Sequence, residues 1–188
     1  MKLNQILEEK LKSEVLVYLK KGKPGWDIPH TLTSVEWMRK LIEKEGGNEK
    51  ILVTAMYLHD IGYDRLQEGY SFEDIRRTKM THEEIGAKEA EKILKNLDQY
   101  SADETREIVY LVRYHDTLDN LNSHNRILIM EADSLAAIDW EKVTPNFDKE
   151  NCLKYLDDFK KTRINKFQTD TGGKFLKLLL TKAEKYWE

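Results

Sequence analysis

His59 and Asp60 stand side by side in ILVTAMYLHDIG, the most hydrophobic run of the chain. An imidazole and a carboxylate buried without partners carry a large desolvation cost. A divalent cation resolves it, because neutral imidazole nitrogen and carboxylate oxygen are both good ligands for first-row metals. Ligands of this kind bind in their deprotonated forms, and neighbouring residues at a helix end can converge on one ion. Asp60 offers two oxygens and can therefore bind one metal or bridge two. The alternative for the doublet is a hydrogen-bonded pair holding no metal.

These residues need rigid elements to place them, and the apolar periodicity supplies helices. Ile6, Leu7, Leu11, Val15, Leu16 and Leu19 recur at helical spacing before Lys20-Lys21-Gly22. After a loop over residues 22–29, a second helix is expected to start near His30 or Leu32 and to stop at Gly46-Gly47. Residues 49–61 are apolar nearly all round and read as a central buried helix. Residues 64–80 are polar and read as a long loop or a loop with a short helix. Thr81 with Glu84, and Ser101 with Glu104, match the capping-box pattern and predict two helix starts. An apolar helix follows over 125–138, carrying Asp133, and two amphipathic helices over roughly 149–167 and 173–187 end the chain, joined by a turn at 169–172. The expected fold is all-α, a single-domain bundle of about seven to nine helices over residues 1–188.

The chain resembles the HD-domain phosphohydrolases, which are all-helical and carry a His, a His-Asp doublet and a distant Asp in that order. His30 in WDIPHTLTSVEWM matches the first, His59 and Asp60 in LHDIGY the doublet, and Asp133 in IMEADSLAAID the last. The resemblance spans roughly residues 26 to 138 and leaves the terminal helices as elaborations. It implies that these four residues hold a catalytic metal. THEEIGAKEA is similar to the segment that supplies a further His in two-metal members, and YLVRYHD offers another in the right order. Carried over, His82 and His115 would bind a second metal bridged by Asp60. Asp116 makes a second His-Asp doublet, but YHDTLDN runs into a polar turn, so His115 alone is the candidate ligand there. Thr81 stands where the cyclic-dinucleotide phosphodiesterase branch has a second adjacent His, and no Gly-Tyr-Pro follows, so that specificity is not expected.

What the resemblance implies chemically is hydrolysis of a phosphate ester, in a nucleotide or another small phosphorylated metabolite, by metal-activated water. The donors suit manganese, iron, cobalt or nickel better than magnesium. Asp60, as ligand and bridge, and Asp64, one turn beyond it, are the candidate catalytic carboxylates, Asp64 as proton acceptor or water-orienting group. Arg65, Arg76, Arg77, Lys79 and Arg126 are candidate phosphate contacts, since a phosphate substrate needs compensating cations. Arg126 is preferred, being close in sequence to Asp133 on one helix. Trp26 and Asp27 read as either a pocket wall or a loop anchor.

Composition narrows the partners. Lys and Arg number 31 against 34 Asp and Glu, for a net charge of -3, so no basic excess points to a nucleic-acid polymer. The single Cys152 permits no intramolecular disulfide and fits a reducing cytoplasm. The N-terminal segment lacks the unbroken apolar run of a signal peptide or membrane span, so a cytoplasmic protein is expected. A homodimer is left open. Three other classes stay in view: an HD-type di-iron oxygenase using the same six ligands, a nucleotide-binding regulatory module without turnover, and a metal-free helical interaction protein.

Overall fold

A computed structural model describes residues 2–63 and 72–188, excepting the side chains of Phe72, Ile75, Arg76, Lys79 and Met80. Among these residues the chain forms eight α-helices and one 3₁₀ turn, with no strand. They are α1 (Gln5–Leu19), α2 (Asp27–Glu45), α3 (Glu49–Leu58), α4 (Phe72–Leu97), α5 (Ala102–Arg113), α6 (His124–Ile138), α7 (Lys149–Thr162) and α8 (Asp170–Lys185).

The helix α3 occupies the centre, and Leu52 through Leu58 are all buried. It packs against α1, α2, α5 and α6, and α2 lies along α6. An element surrounded in this way has no polar face to present, which is why its sequence is apolar all round. Caps set the helix starts. Asn4 accepts from the backbone of Ile6 and Leu7, Ser123 from Arg126 and Asp148 from Asn151. Ser101 and Glu104 form the expected capping box.

Two sequence expectations change. α4 begins at Phe72, so residues 72–80 are helical rather than loop, and Thr81 caps nothing; its hydroxyl donates to Thr78 O, 2.9 Å away within the helix. Residues 170–172, expected in a turn, form the first turn of α8, because Thr169 is its cap and accepts from Gly172 N at 2.9 Å. The buried Glu131 of α6 fixes this start by accepting from the backbone N–H groups of Gln168 and Thr169 at 2.8 and 2.9 Å.

One close approach positions the site. Gly62 follows the doublet, and a Cβ there would run into the His82 carbonyl oxygen and the Gly86 backbone on α4. Only a residue lacking that atom lets α4 lie against the turn after α3, which carries His82 to Asp60.

Candidate metal centre

His30 enters from the first turn of α2, where Asp27 folds the approach by accepting from Lys23 N at 2.6 Å. His59 caps the end of α3, with Asp60 in the turn beyond. His82 comes from α4, His115 from the turn after α5 and Asp133 from the middle of α6. All six side chains are buried. They form two groups able to hold a metal ion, His30 with His59 and Asp133, and Asp60 with His82 and His115.

The spacing within each group is that of donors around one ion. In the first, His30 Nε2 lies 3.2 Å from His59 Nε2 and 3.0 Å from Asp133 Oδ1, with His59 Nε2 3.6 Å from the same oxygen. In the second, His82 Nε2 and His115 Nε2 are 3.1 Å apart and lie 3.7 and 3.5 Å from Asp60 Oδ1. Donors about 2.1 Å from a single metal are separated by roughly 3.0 to 3.4 Å. The other oxygen of Asp60, Oδ2, faces the first group, 3.8 Å from His30 Nε2 and 3.7 Å from His59 Nε2. Asp60 thus turns one oxygen to each group.

The donor chemistry also fits a cation. His59 Nδ1 lies 2.8 Å from Met56 O and His115 Nδ1 2.7 Å from Val112 O, contacts in which the ring nitrogen donates. In the neutral ring each Nε2 then carries a lone pair aimed into the centre. Two imidazole nitrogens facing one another can share a single proton at most, whereas an ion between them satisfies both. His30 and His82 are held instead by stacking, on Trp26 at 5.7 Å and on Tyr63 at 4.1 Å between ring centres.

Charge points the same way. Of the four carboxylates Asp27, Asp60, Asp116 and Asp133, Lys23 meets the first two and Arg163 the last two, and Asp60 and Asp133 also face the imidazoles. Lys23 Nζ lies 3.0 Å from Asp27 Oδ1 and 2.9 Å from Asp60 Oδ2. Arg163 Nη1 donates to Asp133 Oδ2 at 2.9 Å and to Ser134 Oγ at 2.6 Å, and Nη2 pairs with Asp116. Burial alone would raise both central carboxyls. The charges of Lys23 and His59 instead hold Asp60 well below its usual range, and Arg163 with His30 does the same for Asp133. Both stay ionised, as ligands must. Burial and the neighbouring His115 push His82 down to about 4. Burial also opposes a charge on His115, yet the hydrogen bond to Asp60 and the charge of Asp116 raise it to about 9.

The family model described as HD domain matches residues 28–138, more than half of the 188. The chain belongs to the HD-domain family. The fold agrees: the crystal structure of a predicted HD superfamily hydrolase from an uncultured Thermotogales bacterium superposes with a TM-score of 0.64 at 20% identity, over 95% of this chain and 87% of that one. No curated protein matches the sequence. HD domains bind divalent metals, and the two groups described above lie on the HD domain itself.

Beside these candidate ligands a cavity of about 410 Å³ opens, lined by His30, Asp60, His115 and Asp133 together with Trp26, Trp140, Phe147 and Tyr155 among others. Lys23, Asp116 and Arg163 line it too. Trp26 is therefore a cavity wall and Asp27 a loop anchor. Arg126, expected at the phosphate, is elsewhere. It is buried and donates to the carbonyl oxygens of Asn120, Tyr114 and Thr117, closing the loop between α5 and α6. Arg77 is exposed and lies 3.9 Å from Glu73 on its own helix. Asp64 and Arg65 lie outside the described residues, as do the side chains of Arg76 and Lys79. No helix of the described residues is long and apolar enough to cross a membrane.

Proposed function

We propose that this HD-domain protein is a phosphohydrolase acting on a nucleotide or other small phosphate ester at a dinuclear centre held by His30, His59, Asp133, Asp60, His82 and His115. The observation that carries the reading is Asp60, whose two oxygens each face one group of ligands. A divalent transition metal held there lowers the pKa of bound water to about 7 and polarises a phosphoryl oxygen. The chain's residues do the rest. Met56 and Val112 fix the rings of His59 and His115 through their carbonyls. Lys23 holds Asp60 through Oδ2, the oxygen that faces the first group, Arg163 holds the outer oxygen of Asp133, and the two cations keep both carboxyls ionised. Asp64 is the proposed proton acceptor. Arg65, outside the described residues, and Arg76 and Lys79, of which only the backbone is described, remain proposed phosphate contacts, and the cytoplasm is the proposed location.

The test is release of inorganic phosphate from small monoesters with manganese, cobalt, nickel or iron added in turn. His59→Ala and Asp60→Ala should abolish both metal binding and turnover, and full activity in either contradicts the assignment. The bridging Asp60 equally suits a di-iron oxygenase, so oxygen uptake by the iron-loaded protein is measured alongside. Uptake without phosphate release would select that chemistry.

A further inference from the structure

The cavity has two unlike sets of lining residues. Candidate ligands from both groups make up one, His30 and Asp133 with Asp60 and His115. Trp26, Trp140, Pro145, Phe147, Tyr155 and Phe159 make up the other, and the Trp26 ring stacks on His30. We propose that this apolar set seats a flat, apolar group beside the metal centre, so that the phosphoester bound by the protein carries an aromatic ring system. The proposal rests on the phosphohydrolase reading for the position of the phosphate, which the metal centre receives.

Most of this wall comes from residues 140–159, beyond the segment 28–138 that matches the HD domain. Trp26, Phe147 and Tyr155 all line the cavity and are only half-buried. Trp140 is fixed in orientation because Nε1 donates to Ala137 O at 3.1 Å. Pockets of roughly 300 to 1,000 Å³ with apolar walls and a few convergent polar groups are typical small-molecule sites, and a volume of about 410 Å³ belongs in that class.

Charge disfavours a second phosphate in the cavity. Both described cations of the lining are committed, Lys23 to Asp27 and Asp60, and Arg163 to Asp116 and Asp133. Asp158, which also lines the cavity, adds a carboxylate that repels an anion.

Occupancy without turnover is read from tryptophan fluorescence, Trp26 and Trp140 being the two of the four tryptophans that line the cavity. Phenylphosphonate and methylphosphonate, which present the same oxyanion with and without a ring, are titrated into the manganese-loaded protein. Phenylphosphonate should bind on the order of tenfold tighter or better, and that preference should shrink in Phe147→Ala and in Tyr155→Ala at undiminished metal content. Equal binding of the two phosphonates overturns the proposal, even if esters are hydrolysed. A clear preference for phenylphosphonate with no ester hydrolysed supports the aromatic seat and overturns the phosphohydrolase reading instead. Rates with phenyl phosphate, adenosine 5′-monophosphate and methyl phosphate then separate the sources of the ring. Faster turnover of the adenosine ester selects a nucleobase, faster turnover of phenyl phosphate a simple aryl group, and fastest turnover of methyl phosphate contradicts the seat.

Discussion

Arg163, one residue past the end of α7, holds Asp133 of α6: Nη1 lies 2.9 Å from Oδ2, while the other oxygen, Oδ1, faces His30 at 3.0 Å. The C-terminal part of the chain thus orients a candidate ligand of the HD domain. The same guanidinium pairs with Asp116, so one fork ties the turn after α5 to α6.

Arg163→Met should therefore loosen Asp133 and leave Asp116 and Asp133 without their shared cation. Loss of a group that orients a metal ligand typically costs about 10- to 100-fold in metal affinity. Competition against a chromogenic chelator measures it. Lys at this position should restore only part of the loss, since it cannot make two parallel contacts. Unchanged affinity in the Met variant would show that Asp133 needs no such support.

Gly62→Ala should destabilise the fold by about 1 to 3 kcal/mol, the usual cost of forcing atoms into a packed site, because its Cβ meets backbone on α4 rather than a side chain that can turn away. The retreat of α4 should carry His82 from Asp60. Thermal melts and metal content read the two effects, and a variant as stable and as fully loaded as the parent contradicts the close approach.

Metal loading should depend on pH through His115. In the metal-free protein its pKa is raised from 6.5 to about 9, so near pH 7 it carries a proton that an incoming ion must displace. Affinity at the group of Asp60, His82 and His115 should rise with pH up to about 9 and then level. For the metal-free fold the sign is opposite: the charged His115 contributes its stability fully below pH 6.5, and the contribution is lost as pH rises through about 9. Calorimetric titrations at several pH values check the first statement and melts of chelator-treated protein the second. A pH-independent affinity would contradict the first.

Three of the six candidate ligands stand out locally in the sequence, whereas His30, His82 and His115 are marked only by the family resemblance. His59 and Asp60 are polar in a helix buried on every side, and Asp133 interrupts an apolar run in the same way. Their supports do not stand out. Lys23 sits in a Gly- and Pro-bearing loop where a lysine ordinarily points to solvent, yet it is only 5% exposed because Asp27 and Asp60 receive it. Arg163 follows the polar run Lys160-Lys161-Thr162 and looks like the solvated end of an amphipathic helix. Nothing in the local pattern tells that the chain turns its guanidinium inward. Arg126 is absent from the cavity lining for the converse reason: proximity in sequence to Asp133 says nothing about direction, and its guanidinium faces three carbonyl oxygens of a loop. The start of α4 was hidden because residues 72–80 are held in a helix without a clear apolar stripe, so periodicity marked only the part after Thr81.

The dinuclear assignment is tested most directly by elemental analysis of protein purified without chelator, with His82→Ala and His115→Ala beside it. The account predicts about two ions per chain in the parent, falling toward one in each variant because only the group served by Asp60 Oδ1 is broken. About one ion in all three proteins would contradict the dinuclear centre and restrict the metal to His30, His59, Asp133 and Asp60. No metal at all, even after manganese or iron is added, would contradict a metal-dependent function altogether.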